Sequence, residues 1–224
     1  MNGILNRVDN ILRLLVMGRR VSTVSTVKGY NRVEYIQKRV VDYIMVALFI
    51  ISLWPIILYT IYRIKKESPN GDILFKQPRV GLDGKTFTCY KFRSMHPNSH
   101  FDPYTKDNDT RIFPYGIVMR KLRIDELAQI INVIKGDMHI VGPRAEWDIL
   151  VHNYEKIIPN YHYRHKVRPG ITGLAQTKYP YGRNAYDARR KLGYDLLYIK
   201  KWSLFLELKV LFKTVLVVIK KSGV

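Results

Sequence analysis

The longest apolar run of the chain extends from Val40 to Ile64 and contains few polar residues. Its length exceeds the roughly 20 residues that a helix needs to cross the hydrocarbon core of a bilayer. The run lies well inside the chain and no small-residue cleavage site follows it, which argues against a cleavable signal peptide. The pattern therefore predicts a membrane helix over residues 37–66.

Two features of this run favour a helix that enters the membrane, bends and returns to the same side. Pro55 lies near its centre, where the ring and the missing backbone N–H kink or break a helix. Basic residues flank both ends, whereas a spanning helix normally carries them mainly at one end. The flanking cations are Lys28, Arg32, Lys38, Arg39, Arg63, Lys65 and Lys66. The alternative interpretation is a kinked helix that crosses once.

Both ends of the chain carry apolar residues at helical spacing among basic ones. Residues 1–36 are predicted as a basic amphipathic extension, and residues 196–224 as an amphipathic helix on the membrane surface. In the second segment, Trp202, Phe205 and Phe212 stand among lysines such as Lys209 and Lys213. The alternative for either segment is a helix that packs on the globular core.

Between residues 67 and 195, short apolar runs alternate with turns and modest helices. Strands are predicted over residues 73–77 and 86–93, joined by a tight turn at Asp83-Gly84. A helix is expected from Asp125 to Gly136, a strand over residues 138–141, and a helix over residues 145–158. The predicted fold class is α+β: a compact domain of short strands and helices, a re-entrant membrane helix broken at a proline, and amphipathic interfacial helices.

The net charge of the chain limits the kinds of molecule that it is expected to bind. The 224 residues include 38 Lys and Arg against 18 Asp and Glu, a formal net charge of +20, and 47% of the residues are hydrophobic. This balance favours an anionic partner, which is nucleic acid, a lipid surface or a phosphorylated substrate. Cys89 is the single cysteine, so no intramolecular disulfide forms, and it is interpreted as a small packed residue.

The adjacent carboxylates Asp125 and Glu126 stand among basic residues at the start of a predicted helix. This pattern is typical of a phosphate site, where cations neutralise the substrate while carboxylates hold a metal or attack phosphorus. The simpler interpretation is a helix start with acidic residues in its first turn and a surface ion pair. Arg168 and Gly170 belong to a basic turn whose glycine permits a close approach to a phosphate.

Further short blocks occur in a recognisable order along the chain. They are Lys38-Arg-Val-Val-Asp42, Gln77-Pro-Arg-Val-Gly81, Tyr90-Lys-Phe-Arg-Ser-Met95, Leu122-Arg-Ile-Asp-Glu-Leu-Ala-Gln129, Asn132-Val-Ile-Lys-Gly-Asp-Met138, Val141-Gly-Pro-Arg144, Val167-Arg-Pro-Gly-Ile-Thr-Gly-Leu-Ala-Gln176, Gly182-Arg-Asn184 and Tyr194-Asp195. In this order they resemble the bacterial polyprenyl-phosphate sugar-1-phosphate transferases, also called monotopic phosphoglycosyl transferases. The resemblance covers residues 38–221, and residues 1–36 lie outside it.

The resemblance implies an enzyme at the cytoplasmic face of the bacterial inner membrane, with residues 67–195 as its catalytic domain. Such an enzyme moves a sugar 1-phosphate from a UDP-sugar to undecaprenyl phosphate, releases UMP, and starts the assembly of a surface polysaccharide, capsule, lipopolysaccharide or other glycan. Anionic membrane lipids are expected partners and nucleic acid is not. The oligomeric state is left open, with a homodimer as one option, and the family motifs do not specify the sugar.

The family pattern also implies a role for each site residue. Asp125 would attack the sugar-linked phosphate and form an aspartyl-phosphosugar intermediate, because a carboxylate is ionised at neutral pH without activation. Glu126, about 100° further round the helix, would hold Mg²⁺. The other residues predicted at the phosphate site are Lys91, Arg120, Arg144, Arg168 and the further active-site carboxylate Asp195.

Lys91 and Arg93 belong to the same predicted strand, only one of them is expected to face the site, and the family pattern selects Lys91. The chain departs from the pattern at two positions. Trp54 precedes Pro55 where smaller members often carry Ser, whose hydroxyl could bond a carbonyl freed at the break. Ala145 follows the Gly-Pro-Arg block where many members carry Pro.

A basic membrane-surface scaffold without catalytic activity is the main alternative of another class. It would explain the charge and the apolar segments, but it gives no reason for the carboxylate pair among basic turns. A nucleic-acid binder would explain the charge but not an apolar insertion of this length.

Overall fold

The computed structural model describes residues 27–97, 99, 109–179 and 184–219. The predicted amphipathic extension before residue 27, the motif residues Gly182 and Arg183, and residues 220–224 lie outside this described part.

Helix α1, Arg32–Glu67, is the long apolar helix, and it begins earlier than the predicted residue 37. Its start is fixed by a capping box, in which Asn31 Oδ1 accepts from the Glu34 N–H and Glu34 Oε2 accepts from the Asn31 N–H, each at 2.9 Å. It is the one helix of the described residues that is long and apolar enough to cross a membrane by length and composition.

Pro55 lies inside α1, and the residues on both sides of it remain helical. The predicted break is therefore a proline within a continuous helix, and the re-entrant course stays a prediction. Proline removes the hydrogen bond to the carbonyl four residues earlier, which belongs to Ile51. Ser52, the nearest serine before Pro55, donates to the Leu48 carbonyl and not to that of Ile51.

The strands form two separate two-stranded sheets. Strands β1 (Leu74–Val80) and β2 (Thr86–Phe92) pair antiparallel, which confirms the predicted hairpin. In its connection Asp83 (φ 51°) and Gly84 (φ 76°) both adopt the left-handed conformation that an Asp-Gly turn favours. Strands β3 (His139–Val141) and β4 (Gly170–Thr172) pair parallel.

The remaining helices pack around these sheets and complete a mixed α+β domain, so the predicted fold class is confirmed. They are α2 (Pro114–Lys121), α3 (Ile130–Lys135), α4 (Asp148–Ile157), α5 (Leu174–Lys178), α6 (Ala185–Lys200) and α7 (Leu204–Ile219), with 3₁₀ helices at Ile124–Gln129 and Tyr161–Lys166. The segment predicted as one C-terminal helix is thus divided between the end of α6 and α7.

The N-terminal part of α1 is fixed to the domain by buried charges. Lys38 Nζ donates to Glu207 Oε1 at 2.7 Å, to the Tyr198 hydroxyl at 2.8 Å and to the Val141 carbonyl at 2.9 Å. The side chains of Lys38 and Glu207 are both 0% exposed, so each charge depends on the other and on these hydrogen bonds. One lysine therefore joins α1, β3, α6 and α7.

One turn further along α1, Asp42 makes the second attachment. Its Oδ1 accepts from the Ile140 N–H at 2.8 Å, and its Oδ2 lies 2.6 Å from His139 Nδ1. The Asp42 and His139 side chains are both fully buried. Together with Lys38, Asp42 ties the helix directly to strand β3.

The C-terminal part of α1 is attached to the same domain through α2. The hydroxyls of Thr60 and Tyr115 lie 3.1 Å apart, and Glu67 Oε2 accepts from the Tyr115 N–H at 2.7 Å. Between Val46 and Thr60 no residue of α1 is buried, and Ile51 is 72% exposed. The helix is therefore attached to the domain near both ends, and the part between these attachments exposes apolar side chains.

Strands β3 and β4 approach so closely that glycine is required at their contact. A Cβ on Gly170 would lie 2.0 Å from the Gly142 nitrogen, and one on Gly173 would lie 2.1 Å from the Gly142 carbonyl oxygen. The Gly170 N–H donates to the Pro143 carbonyl at 2.8 Å. The close approach that Gly170 permits is therefore to the backbone segment that precedes Arg144.

Candidate active site

Asp125 and Glu126 lie in the 3₁₀ helix Ile124–Gln129, which continues into α3. The predicted helical segment is present, and it ends at Gly136 in the left-handed conformation, but its first turns are 3₁₀ instead of α. Successive side chains of a 3₁₀ helix diverge by about 120°, so the two carboxylates still point in different directions. Arg123, just before this turn, has the left-handed φ of 57°, a strained conformation of the kind that clusters at functional sites.

The two carboxylates have different partners. Glu126 Oε1 accepts from Arg144 Nη2 at 2.8 Å and from Lys91 Nζ at 3.1 Å, and its Oε2 lies 3.8 Å from Arg123 Nη1. Asp125 Oδ2 lies 4.0 Å from Lys91 Nζ. Within the described residues, the Asp125 side chain accepts no hydrogen bond. Glu126 is thus held by cations, and the lone pairs of Asp125 are left available.

The electrostatics of the pair follow these contacts. Burial raises the pKa of Asp125, and the negative charge of Glu126 adds to this effect, although Lys91 opposes it. Burial would also raise the pKa of Glu126, but Arg144 and Lys91 outweigh it and hold that pKa well below its usual range. A carboxylate of raised pKa is more basic, and greater basicity favours nucleophilic attack.

Of the four predicted basic residues, Lys91 and Arg144 contact the pair directly, and Arg120 lies close enough for its charge to lower the pKa of Asp125. Arg120 Nη1 is also 3.5 Å from Ser94 Oγ. Arg168 is oriented elsewhere in this structure, because its Nε donates to the Gly136 carbonyl at 2.7 Å. Its guanidinium lies over the Tyr35 ring, 4.9 Å from the ring centre.

Lys91 contacts the carboxylate pair and Arg93 does not. Alternation is not the reason, because residues two apart in a strand lie on the same face; Arg93 instead lies beyond the end of the strand. Arg93 directly follows the last residue of β2 and donates to Ser68 Oγ at 2.6 Å and to the Asp72 carbonyl at 2.6 Å. Arg93 is therefore a structural residue that ties the end of β2 to the end of α1.

Asp195 is buried and paired with Arg164. Arg164 was not among the site residues predicted from the sequence. Arg164 Nε and Nη2 lie 3.0 and 2.8 Å from Asp195 Oδ2, and Nη2 also donates to the Arg144 carbonyl at 2.9 Å. Burial raises the pKa of Asp195 to about 6 against the effect of Arg164. Asp195 thus reaches Glu126 indirectly, through Arg164 and Arg144, and its predicted contact with phosphate stays a prediction.

The carboxylate pair suits Mg²⁺ only together with a phosphorylated ligand. The described part of the chain contains no group of three or more His, Cys, Asp and Glu that could hold a metal ion. Mg²⁺ in phosphate-transfer sites usually takes one or two carboxylates and completes its shell with water and substrate phosphates. Glu126 Oε2 fits this arrangement, whereas Glu126 Oε1 is occupied by Lys91 and Arg144.

Comparison with known proteins identifies the family. The chain belongs to the bacterial sugar transferases, whose family model matches residues 33–221.

Individual relatives show the same similarity. A UDP-N-acetylgalactosamine-undecaprenyl-phosphate N-acetylgalactosaminephosphotransferase of Aeromonas hydrophila is 44% identical over 83% of this chain and 44% of its own length. A UDP-glucose:undecaprenyl-phosphate glucose-1-phosphate transferase of Klebsiella pneumoniae is 39% identical over 83% of this chain and 40% of its own length. An uncharacterised sugar transferase of Bacillus subtilis is 40% identical over 84% of this chain and 90% of its own length. The chain therefore spans less than half of the first two relatives.

Proposed function

We propose that this protein transfers a sugar 1-phosphate from a UDP-sugar to undecaprenyl phosphate through a covalent intermediate on Asp125, with release of UMP. The names of several relatives support the two substrate classes. The observation that carries the mechanism is the unequal pairing of the two carboxylates: Glu126 is bound by Arg144 and Lys91, while Asp125 accepts no hydrogen bond from the described residues.

In the first step, an oxygen of Asp125 attacks the phosphorus that bears the sugar. The bond between this phosphorus and the bridging oxygen breaks, and UMP leaves with that oxygen and its electron pair. In the second step, an oxygen of undecaprenyl phosphate attacks the same phosphorus and breaks its bond to Asp125. This yields the lipid diphosphate sugar and regenerates the carboxylate.

The cations around the pair prepare the site for this chemistry. Two phosphates must approach two carboxylates, and the repulsion between them requires nearby positive charge. Lys91, Arg120 and Arg144 supply it, and an arginine can contact a phosphate through two parallel hydrogen bonds. Glu126 Oε2 would hold Mg²⁺, which would add charge neutralisation at the diphosphate.

The same proposal includes a re-entrant course for α1 and a domain at the cytoplasmic face of the inner membrane. The contacts of Asp42 with β3 and of Thr60 with α2 support it, because both attachments belong to one folded domain. The stretch without buried residues between Val46 and Thr60 amounts to about 20 Å of straight helix. The hydrocarbon core is about 30 Å thick, so a crossing helix could not keep both attachments.

The test of the covalent mechanism uses protein in detergent with a UDP-sugar radiolabelled in the sugar. After acid quenching, the protein should carry label that hydroxylamine removes, as expected of an acyl phosphate. Asp125→Asn should abolish both the label and UMP release, because an amide is a poor nucleophile. Asp72→Asn, at an exposed position, is the matched control and should behave as the wild type. Continued UMP release by Asp125→Asn would remove Asp125 from the nucleophile role.

A further inference from the structure

Helix α6 carries three consecutive basic residues, Arg189, Arg190 and Lys191, to which the proposed mechanism assigns no role. Lys191 lies four residues before Asp195, so the two side chains project from the same face of α6. Asp195 is bound to Arg164, and Arg164 donates to the carbonyl of Arg144. Lys191 therefore stands on the side of α6 that faces the arginines behind the carboxylate pair.

Lys191, Arg79, Arg144 and Arg164 form a cluster of cations behind the carboxylate pair. The three arginines of this cluster already have protein partners. Arg144 pairs with Glu126 and Arg164 pairs with Asp195. Arg79 donates to the Ala145 carbonyl at 2.8 Å and to Gln77 Oε1. Lys191 is half-buried, and within the described residues it makes neither a hydrogen bond nor an ion pair. It is thus the cation of this cluster that remains available to a ligand.

The charges around Lys191 indicate what kind of ligand it would take. Burial lowers the pKa of Lys191 and the like charges of Arg144 and Arg164 lower it further, whereas the carboxylates of Glu146 and Asp195 oppose this. A half-buried ammonium beside two guanidinium groups is unfavourable in the empty protein. An anionic ligand reduces that cost when it binds, and a lysine ammonium is a common phosphate ligand.

We propose that Lys191 is a further substrate-binding residue, which contacts a non-bridging oxygen of the nucleotide diphosphate. This inference rests on the proposed function for the identity of the ligand. The proposal divides the basic residues of the site into two groups. Lys91 and Arg144 hold Glu126 in place and are shared between protein and substrate, whereas Lys191 is reserved for the substrate.

The test compares Lys191→Met with Lys191→Arg, and uses Lys156→Met, at an exposed position of α4, as the control. The Kd of UDP is measured by calorimetry for each protein in an Asp125→Asn background, where no turnover occurs. Loss of one charged contact should raise the Kd about tenfold or more in Lys191→Met. Lys191→Arg should recover most of the affinity, and Lys156→Met should bind as the parent does.

Measurements of turnover distinguish a failure of this inference from a failure of the proposed function. With Asp125 intact, Lys191→Met should raise KM for the donor more than it lowers kcat, since the residue contacts the substrate before and during the reaction. Equal UDP affinity in Lys191→Met and its parent would overturn the role of Lys191. Failure of the wild type to release UMP from any UDP-sugar would instead overturn the proposed function, and the calorimetric comparison would still decide the role of Lys191.

Discussion

Glu126 and Arg144 form an ion pair with 2.8 Å between Oε1 and Nη2, although Arg144 comes from the turn after β3. In the proposed mechanism, this contact is the reason why Asp125 and not Glu126 would be the nucleophile. A carboxylate that shares its electron pairs with a guanidinium is a weak nucleophile, so Glu126 is suited to a supporting role. Asp125, beside it, keeps its electron pairs.

The first prediction concerns Glu126 as a metal ligand. Glu126→Gln should lower UMP release about 10- to 100-fold at low Mg²⁺, because the amide is a poorer ligand, and added Mg²⁺ should restore part of the rate. The measurement is the initial rate of UMP release over a series of Mg²⁺ concentrations, with Glu155→Gln as a partly exposed control. If the defect were the same at every Mg²⁺ concentration, the assignment of Glu126 as a ligand would be wrong.

The second prediction concerns the contact between β3 and β4. Gly170→Ala should lower the stability of the protein by about 3 kcal/mol or more, because the new Cβ would overlap the Gly142 nitrogen. Gly84→Ala is the matched control: its Cβ would meet no atom within 4 Å, so the cost is about 1–2 kcal/mol from its positive φ alone. Thermal unfolding in one detergent compares the two.

Activity gives a second readout of the same pair of variants. Gly170→Ala should also lose UMP release, because a shift of β4 moves the segment that precedes Arg144, whereas Gly84→Ala should keep it. A Gly170→Ala protein as stable as Gly84→Ala would show that the strands separate without cost.

The third prediction concerns the buried pair of Lys38 and Glu207. Lys38→Met should destabilise the protein by about 3–5 kcal/mol, because Glu207 keeps its charge without a compensating cation. The double variant Lys38→Met/Glu207→Leu should be more stable than Lys38→Met, since it removes the orphaned charge. Thermal unfolding measures both variants.

A surface pair serves as the control for this comparison. Lys166 lies 3.7 Å from Asp83, and both side chains are about half exposed. Lys166→Met should therefore change the stability by less than about 1 kcal/mol. An equal loss in Lys38→Met and Lys166→Met would contradict the inference that the Lys38 contacts fix α1 to the domain.

The fourth prediction concerns the course of α1. Cysteines introduced by Gln37→Cys and Asn70→Cys, at exposed positions in a Cys89→Ser background, should both react with a thiol reagent on the cytoplasmic side. Pro55→Ala restores the missing helical donor and favours a straight helix, while the Asp42 and Thr60 contacts oppose a crossing. A mixed population is therefore expected for this variant.

Two outcomes would change this interpretation of α1. Labelling of one end from the periplasm in the wild type would show a true span. A Pro55→Ala protein with full activity and both ends cytoplasmic would show that the attachments at Asp42 and Thr60, and not the proline, determine the course of the helix.

Local features of the fold were predictable because their causes are local. Asp83-Gly84 determines the turn of the hairpin, and Gly136 ends the helix that begins with the carboxylate pair. Each of these follows from the preferences of a few neighbouring residues. The division between α6 and α7 was missed, because the apolar and basic residues continue at helical spacing through the break.

Contacts between distant segments were not predictable from residue patterns. Lys38 and Glu207 are separated by 169 residues, and Arg164 and Asp195 by 31. Lys38 belongs to a block that suggested the family, but nothing local distinguishes a buried anchor from a flanking cation at a membrane. Arg164 lies in a mixed aromatic and basic segment that has no spacing signal, so its partner became visible only in the fold.

The attachments at both ends of α1 have a consequence for the lipid environment. On the re-entrant course, the segment between Asp42 and Thr60 is a helical stretch of fixed length whose two ends are bonded to one folded domain. The height of Asp125 above the headgroups is then set by that domain and this helical stretch, since neither end has to reach the opposite leaflet. Spanning helices tilt or distort the bilayer when its thickness changes. This enzyme should instead be insensitive to acyl-chain length over a wide range.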